Sequence, residues 1–132
     1  MTITGQHVQT ATVLVVDDEP ALRQLIALAV ARAGARPVLA SDVPEALELV
    51  EREPVHLVLT DLTMPGLGGL DLLAALSARR CTIPAVVVTG SNDTSTLRAC
   101  RLLGAQVVAK PFGLEELARL VSHELGRECL AA

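Results

Sequence analysis

Five short apolar runs alternate along the chain with longer segments in which apolar residues recur every three or four positions. The runs are continuous, which is typical of strands buried on both faces of a parallel sheet. The periodic segments have the pattern of helices that pack one face on a core. We predict strands at 12–16, 36–40, 55–60, 84–89 and 106–109, and helices at 20–33, 42–51, 69–80, 92–103 and 113–126.

The alternation of strands and helices predicts the fold class. Repeated strand–helix units imply an α/β domain whose parallel five-stranded sheet is covered by helices on both faces. From this fold type we expect a flavodoxin-like, doubly wound (βα)5 sheet of order 2-1-3-4-5, an order that spacing alone does not prove. We expect a flexible leader at residues 1–10, one domain at 11–127 and a tail at 128–132. The fourth helix is the weakest, because residues 92–96 have poor helix propensity.

Composition narrows the class of function. The chain has 132 residues, of which 51% are hydrophobic, and this suits one globular domain. Phe112 is the sole aromatic residue and the net charge is −4, which argues against binding of single-stranded or duplex nucleic acid. The three cysteines have no paired spacing, so neither a zinc site nor a redox pair is predicted. Without a secretory leader or a long apolar span, we expect a cytoplasmic protein with no membrane partner.

The residues that can carry chemistry lie at the carboxyl ends of the predicted strands. Asp17 and Asp18 follow the first strand, Asp61 follows the third, Thr89 closes the fourth and Lys110 closes the fifth. In the expected sheet these ends meet at the crevice where doubly wound proteins bind ligands. Three neighbouring carboxylates repel one another and predict a hard divalent cation, Mg²⁺. A carboxylate nucleophile with a hydroxyl and a lysine then indicates phosphoryl transfer onto a carboxylate.

Other phosphate chemistries fit the sequence less well. No GxGxxG follows the first strand and no GxxxxGK[ST] occurs, so dinucleotide binding and P-loop hydrolysis lose their main support. The glycine-rich segment 66–69 follows the third strand and lacks a lysine, and we predict a flexible loop there. A haloacid-dehalogenase-like phosphatase would have its aspartates two residues apart, whereas Asp17 and Asp18 are adjacent.

The motifs at these strand ends resemble those of the receiver domain of two-component response regulators. They are, in order, Val13–Pro20, Asp61–Gly66, Val88–Gly90 and Lys110–Phe112, and the resemblance covers about residues 11–127. It implies a signalling switch in which Asp61 is the phosphoacceptor for a histidine kinase or a histidine phosphotransfer protein. Such a domain catalyses its own phosphorylation and dephosphorylation.

The resemblance also implies roles for the residues around Asp61. Asp18, Asp61 and the backbone carbonyl of Thr63 would bind Mg²⁺ directly, and Asp17 would act mainly through a metal-bound water. Thr89 would bind a phosphoryl oxygen. Lys110 would pair with Asp61 or its phosphate, with a cis Lys110–Pro111 bond. Helix four, strand five and helix five would form the partner surface, which is also the candidate interface of a homodimer.

The sequence departs from the family at Val107, where receivers usually carry Tyr or Phe three residues before the lysine. The segment 104–110 also looks one residue shorter than usual. An aromatic rotamer switch cannot operate with valine, so an alternative is a docking or dimerisation module with phosphate-independent signalling. A further alternative is a Mg²⁺-dependent phosphatase of small molecules. We predict structural or exposed positions, not phosphotransfer, for His56 and His123.

Overall fold

A five-stranded parallel sheet forms the centre of the domain. The computed structural model describes residues 10–131, with side chains through residue 126. The strands stand in the order β2-β1-β3-β4-β5, which confirms the predicted topology. Their bounds are β1 (Thr12–Val16), β2 (Arg36–Ala40), β3 (Leu57–Asp61), β4 (Ala85–Thr89) and β5 (Gln106–Ala109). The predicted leader, residues 1–10, lies outside the described residues except for Thr10.

Five helices cover the two faces of the sheet. They are α1 (Pro20–Arg32), α2 (Val43–Arg52), α3 (Gly69–Ala78), α4 (Thr94–Leu102) and α5 (Leu114–Ala131). Alternate residues of β1 enter two separate cores, with Leu14 beneath α2 and α3 and Val15 beneath α1 and α5. Both faces of the central strands are therefore buried, which is why their sequences are continuous apolar runs.

The weakly predicted fourth helix is held at its start by side-chain capping. The Asp93 carboxylate accepts a hydrogen bond from the Ser95 N–H at 3.2 Å and another from the Thr96 hydroxyl at 2.8 Å. Both bonds lower the pKa of Asp93 below its ordinary value, and the bond from Thr96 has the largest effect. Capping of this kind compensates for the poor helix propensity of the first turn. The helix runs from Thr94 to Leu102, slightly shorter than predicted.

The third strand begins and ends later than predicted, at Leu57 and Asp61 rather than at 55 and 60. The His56 N–H donates to the Thr12 carbonyl at 2.8 Å, and the Thr12 N–H donates back to His56 Nδ1 at 3.0 Å. The bond to the His56 side chain takes the place of a backbone hydrogen bond between β1 and β3. Regular pairing of these two strands therefore starts only after His56. At the other end, Asp61 pairs in register with Val88 of β4. Asp61 is therefore fixed by the sheet and not by a loop.

The turn that follows Asp61 is tightly packed. The Gly69 N–H donates to the Leu62 carbonyl at 2.9 Å, and the Gly68 N–H donates to Asp71 Oδ2 at 2.8 Å. A Cβ on Gly69 would lie 2.4 Å from the Asp61 carbonyl oxygen, and one on Gly68 would lie 2.6 Å from the Leu62 oxygen. The glycines here permit a close backbone approach, a steric role that the prediction of a flexible loop did not include.

We predict that Gly69→Ala destabilises the domain and Gly126→Ala does not. The added methyl at position 69 must displace backbone, at a cost of about 1–3 kcal/mol. At Gly126, on α5, a Cβ meets nothing within 4 Å, so alanine should stabilise the helix by about 0.5–1 kcal/mol. Urea unfolding followed by circular dichroism measures both changes. Equal effects of the two substitutions would show that Gly69 is not sterically required.

Candidate functional site

Three carboxylates meet at the carboxyl edge of the sheet. Strands β1 and β3 are neighbours, with Val16 opposite Thr60, so the residues that end them are brought together. Carboxylate oxygens of Asp17, Asp18 and Asp61 all lie within 4.8 Å of one another. Asp17 and Asp61 are buried and Asp18 is exposed. The structure thus forms the acidic crevice that the sequence predicts.

One oxygen of this cluster has no hydrogen-bond partner in the part of the chain that the structure describes. Asp17 Oδ1 accepts a hydrogen bond from the Glu19 N–H at 2.9 Å. Asp17 Oδ2 is buried without a hydrogen-bond partner among the described residues. A buried, unpaired carboxylate oxygen is costly, and a cation at the cluster would satisfy it. The donor set of carboxylate oxygens therefore fits a hard divalent cation.

Electrostatics at the cluster disfavour the charged form of Asp17. Burial raises the pKa of the Asp17 carboxyl above its ordinary value, the Glu19 N–H acts in the opposite direction, and the negative charge of Asp61 raises it further. Lys110 partly offsets this raised pKa. Without a cation, the folded domain therefore carries a cost that the unfolded chain lacks, which comes first from burial of the Asp17 carboxylate and then from the charge of Asp61.

Lys110 supplies the positive charge inside the cluster. Its Nζ lies 3.2 Å from Asp61 Oδ1, and the two side chains are 27% and 11% exposed. The Lys110 N–H donates to the Thr89 carbonyl at 2.8 Å, which ties the end of β5 to β4. The Lys110–Pro111 peptide bond is cis, as the resemblance implied. Lys110 follows the edge strand β5 and is thus held against Asp61 of β3 across the intervening strand β4.

Thr89 and Thr63 differ in how firmly they are placed. Thr89 is buried at the end of β4, and its Oγ1 accepts a hydrogen bond from the Ser91 N–H at 2.9 Å. The hydroxyl proton is thus left to donate to a group at the crevice. Thr63 is exposed in the turn after β3. Metal binding by its carbonyl stays a prediction.

The two histidines that were predicted not to transfer phosphate lie in structural or exposed positions. His56 is half-buried, and its Nδ1 accepts the Thr12 N–H in the bond described above. His123 is exposed on α5.

Arg23 contacts the site although the sequence pattern does not single it out. Its Nη1 donates to the backbone carbonyl of Asp17 at 2.8 Å. Arg23 lies one helical turn after Glu19, and side chains on a helix lean toward its N-terminus. That lean is the signal by which the sequence could have indicated the contact.

Comparison with known proteins agrees with this geometry. The family model described as the response regulator receiver domain matches residues 13–122. The response regulator protein PilR of Pseudomonas aeruginosa is 37% identical over 114 residues, which cover 85% of this chain and 25% of PilR. The chain belongs to the family of response regulator receiver domains, the phosphoacceptor modules of two-component signalling.

Solved structures show the same fold. A CheY-like receiver domain protein from Methanospirillum hungatei superposes with a TM-score of 0.87 at 22% identity, covering 94% of this chain and 100% of that chain. A response regulator receiver protein from Pseudomonas putida gives a TM-score of 0.81 at 30% identity, covering 88% and 98%.

The matched relatives are longer proteins. The chain spans 25% to 47% of the length of the first curated relatives that it matches. In the described part of the chain, no helix is long and apolar enough to cross a membrane.

We predict that Asp17→Asn raises the melting temperature of the metal-free domain by a few degrees. The raised pKa means that the charged carboxylate is disfavoured in the folded state, and a neutral amide removes that cost. The wild type itself regains stability as the pH falls through the raised pKa, so the advantage of the variant should be largest at neutral pH and narrow toward acid. Thermal unfolding in EDTA at several pH values measures this.

Exposed Glu48 provides the matched control for removing one negative charge. Glu48→Gln should change the melting temperature little, because the Glu48–Arg52 pair on α2 is exposed. A lower melting temperature for Asp17→Asn in EDTA would contradict the inferred cost of the buried, charged carboxylate.

Proposed function

We propose that Asp61 is the phosphoacceptor of this receiver domain and takes its phosphoryl group from a phosphohistidine. One observation carries the proposal: the Asp61 carboxylate is held 3.2 Å from the Lys110 ammonium and within 4.8 Å of the oxygens of Asp17 and Asp18. A nucleophilic carboxylate, a cation site and a cationic side chain are the parts that phosphoryl transfer requires. We place the functional domain at 11–127 and expect it to act in the cytoplasm.

Asp17, Asp18 and Asp61, together with the Thr63 carbonyl, would hold Mg²⁺. The ion would neutralise negative charge on the phosphoryl oxygens as the donor approaches. The unpaired Oδ2 of Asp17 and the mutual repulsion of the carboxylates support this assignment.

The positions of the side chains support the following transfer step. An Asp61 carboxylate oxygen attacks phosphorus, the P–N bond to the donor imidazole breaks, and its electron pair returns to the imidazole nitrogen, which then takes a proton. Lys110 moves its ion pair from the carboxylate to the transferred phosphoryl oxygens, and the Thr89 hydroxyl donates to one of them. In hydrolysis, water attacks phosphorus, the bond between Asp61 and phosphorus breaks, and phosphate is released. The ion pair between Asp61 and Lys110 then forms again.

We predict that the wild type gains the mass of one phosphoryl group when it is incubated with acetyl phosphate and Mg²⁺. Asp61→Asn should gain none, because an amide is not a nucleophile for phosphorus, and EDTA should prevent the gain in the wild type. Intact-protein mass spectrometry measures this directly. A tryptophan fluorescence assay cannot be used, because the chain has no tryptophan. Glu48→Gln, which changes an exposed glutamate on α2, is the matched control and should be phosphorylated. Phosphorylation of Asp61→Asn would refute the assignment.

An apolar surface beside Lys110 is suited to the donor. Leu22 and Leu25 of α1 line a cavity of about 380 Å³ with Lys110, Pro111 and Phe112. Leu25 is 42% exposed. A phosphohistidine must come within bonding distance of Asp61, so the element that carries it must rest on surface next to Lys110. We assign this donor surface to a helix of a histidine kinase or a histidine phosphotransfer protein.

We predict that Leu25→Asp slows phosphotransfer from a histidine kinase about tenfold or more, because a charge replaces an exposed apolar contact. Phosphorylation by acetyl phosphate should be unchanged, since that small donor needs no docking. Leu102→Asp on α4, where Leu102 is 78% exposed, is the matched control and should transfer normally. The assay follows the transfer of a radiolabelled phosphoryl group from a histidine kinase that phosphorylates the wild type. Normal transfer to Leu25→Asp would remove α1 from the donor surface.

A second candidate function is supported by Val107. This residue is half-buried on β5 and packs against the core beneath α4, where the family usually has an aromatic switch. Leu102, the last residue of α4, and Leu103, just after it, are exposed. We therefore keep a phosphate-independent docking or homodimerisation module on α4, β5 and α5 as the alternative. A dimer that forms equally in wild type and Asp61→Asn, with and without acetyl phosphate, would favour it in light-scattering measurements.

A further inference from the structure

We infer that Arg23 is a positioning residue for the cation site, an inference that rests on the proposed function. Its guanidinium Nη1 donates to the Asp17 carbonyl oxygen at 2.8 Å. That carbonyl belongs to the peptide group that joins Asp17 to Asp18. Because a peptide group is planar, holding its oxygen also sets the direction in which the chain enters Asp18.

Arg23 completes a set of bonds that fix the acidic turn between β1 and α1. The Asp17 N–H donates to the Ala40 carbonyl at 3.2 Å, and the Glu19 N–H donates to Asp17 Oδ1 at 2.9 Å. The Arg23 N–H donates to the Glu19 carbonyl at 2.9 Å, which starts α1. Of these bonds, only the one from the Arg23 side chain holds the Asp17–Asp18 peptide oxygen.

The contact is directed at the backbone and not at a carboxylate. Among the described residues, no carboxylate lies within ion-pair distance of Arg23. The side chain is half-buried, so its bond to the carbonyl is partly shielded from water. Arg23 therefore adds positive charge beside the acidic cluster without occupying Asp17 Oδ2 or the Asp18 carboxylate, which stay available to a cation. Groups that orient metal ligands in this way commonly change metal affinity by 10–100-fold when they are removed.

The test measures Mg²⁺ affinity by calorimetry and the metal-free melting temperature of the same variants. Arg23→Met keeps the apolar stem of the side chain and removes its donors. We expect it to weaken Mg²⁺ binding about tenfold while the melting temperature in EDTA changes little. Arg23→Lys keeps the charge with a shorter reach and should lose affinity a few-fold.

Arg98→Met on α4 is the matched control, because it removes the same charge from an exposed position. It should bind Mg²⁺ as the wild type does. Wild-type affinity in Arg23→Met overturns the inference, and so does an equal loss in Arg23→Met and Arg98→Met, because such a loss would not depend on the contact with Asp17. If Arg23→Met does not fold, wild-type affinity in Arg23→Lys overturns it.

Failure of this inference and failure of the proposed function give different results. A wild type that binds Mg²⁺ and is phosphorylated, alongside Arg23→Met of unchanged affinity, refutes only the role of Arg23. A wild type that binds no Mg²⁺ refutes both.

Discussion

The repulsion among Asp17, Asp18 and Asp61 is the constraint on which the rest of this structure depends. Side-by-side parallel pairing of β1 and β3 brings these carboxylates together, and only one ammonium, that of Lys110, lies against them among the described residues. The fold tolerates the arrangement because two large apolar cores stabilise the sheet beneath it. The cost is local, and a cation at the cluster would relieve it, which is the basis of the proposed function.

The backbone around the cluster is fixed by contacts from several elements. Asp61 is part of the β3 ladder, Gly69 packs against its carbonyl oxygen, and Arg23 holds the carbonyl of Asp17. A rigid frame of this kind preorganises the carboxylates, so little reorganisation is required when charge arrives. The frame comes from residues of β3, α3 and α1, so it depends on how these elements are arranged in the fold.

Most of the fold, and the meeting of Asp17, Asp18, Asp61 and Lys110 at one edge of the sheet, could be predicted from the sequence, because continuous apolar runs and polar strand ends are local signals. The bounds of β3 could not, since they depend on a hydrogen bond between Thr12 and His56, which are 44 residues apart. The close approach at Gly69 and the contact of Arg23 with Asp17 also depend on distances between separate elements. Hydrophobic periodicity carries no information about such distances.

The unpaired Oδ2 of Asp17 has a consequence for the lifetime of the protein in the cell. A ligand that binds only the folded state lowers the population of opened forms. Proteases cleave those opened forms, so resistance to degradation rises when the acidic cluster is filled. Under the proposed function, the carboxylates that hold the cation would therefore also link the turnover of the chain to the supply of divalent cation.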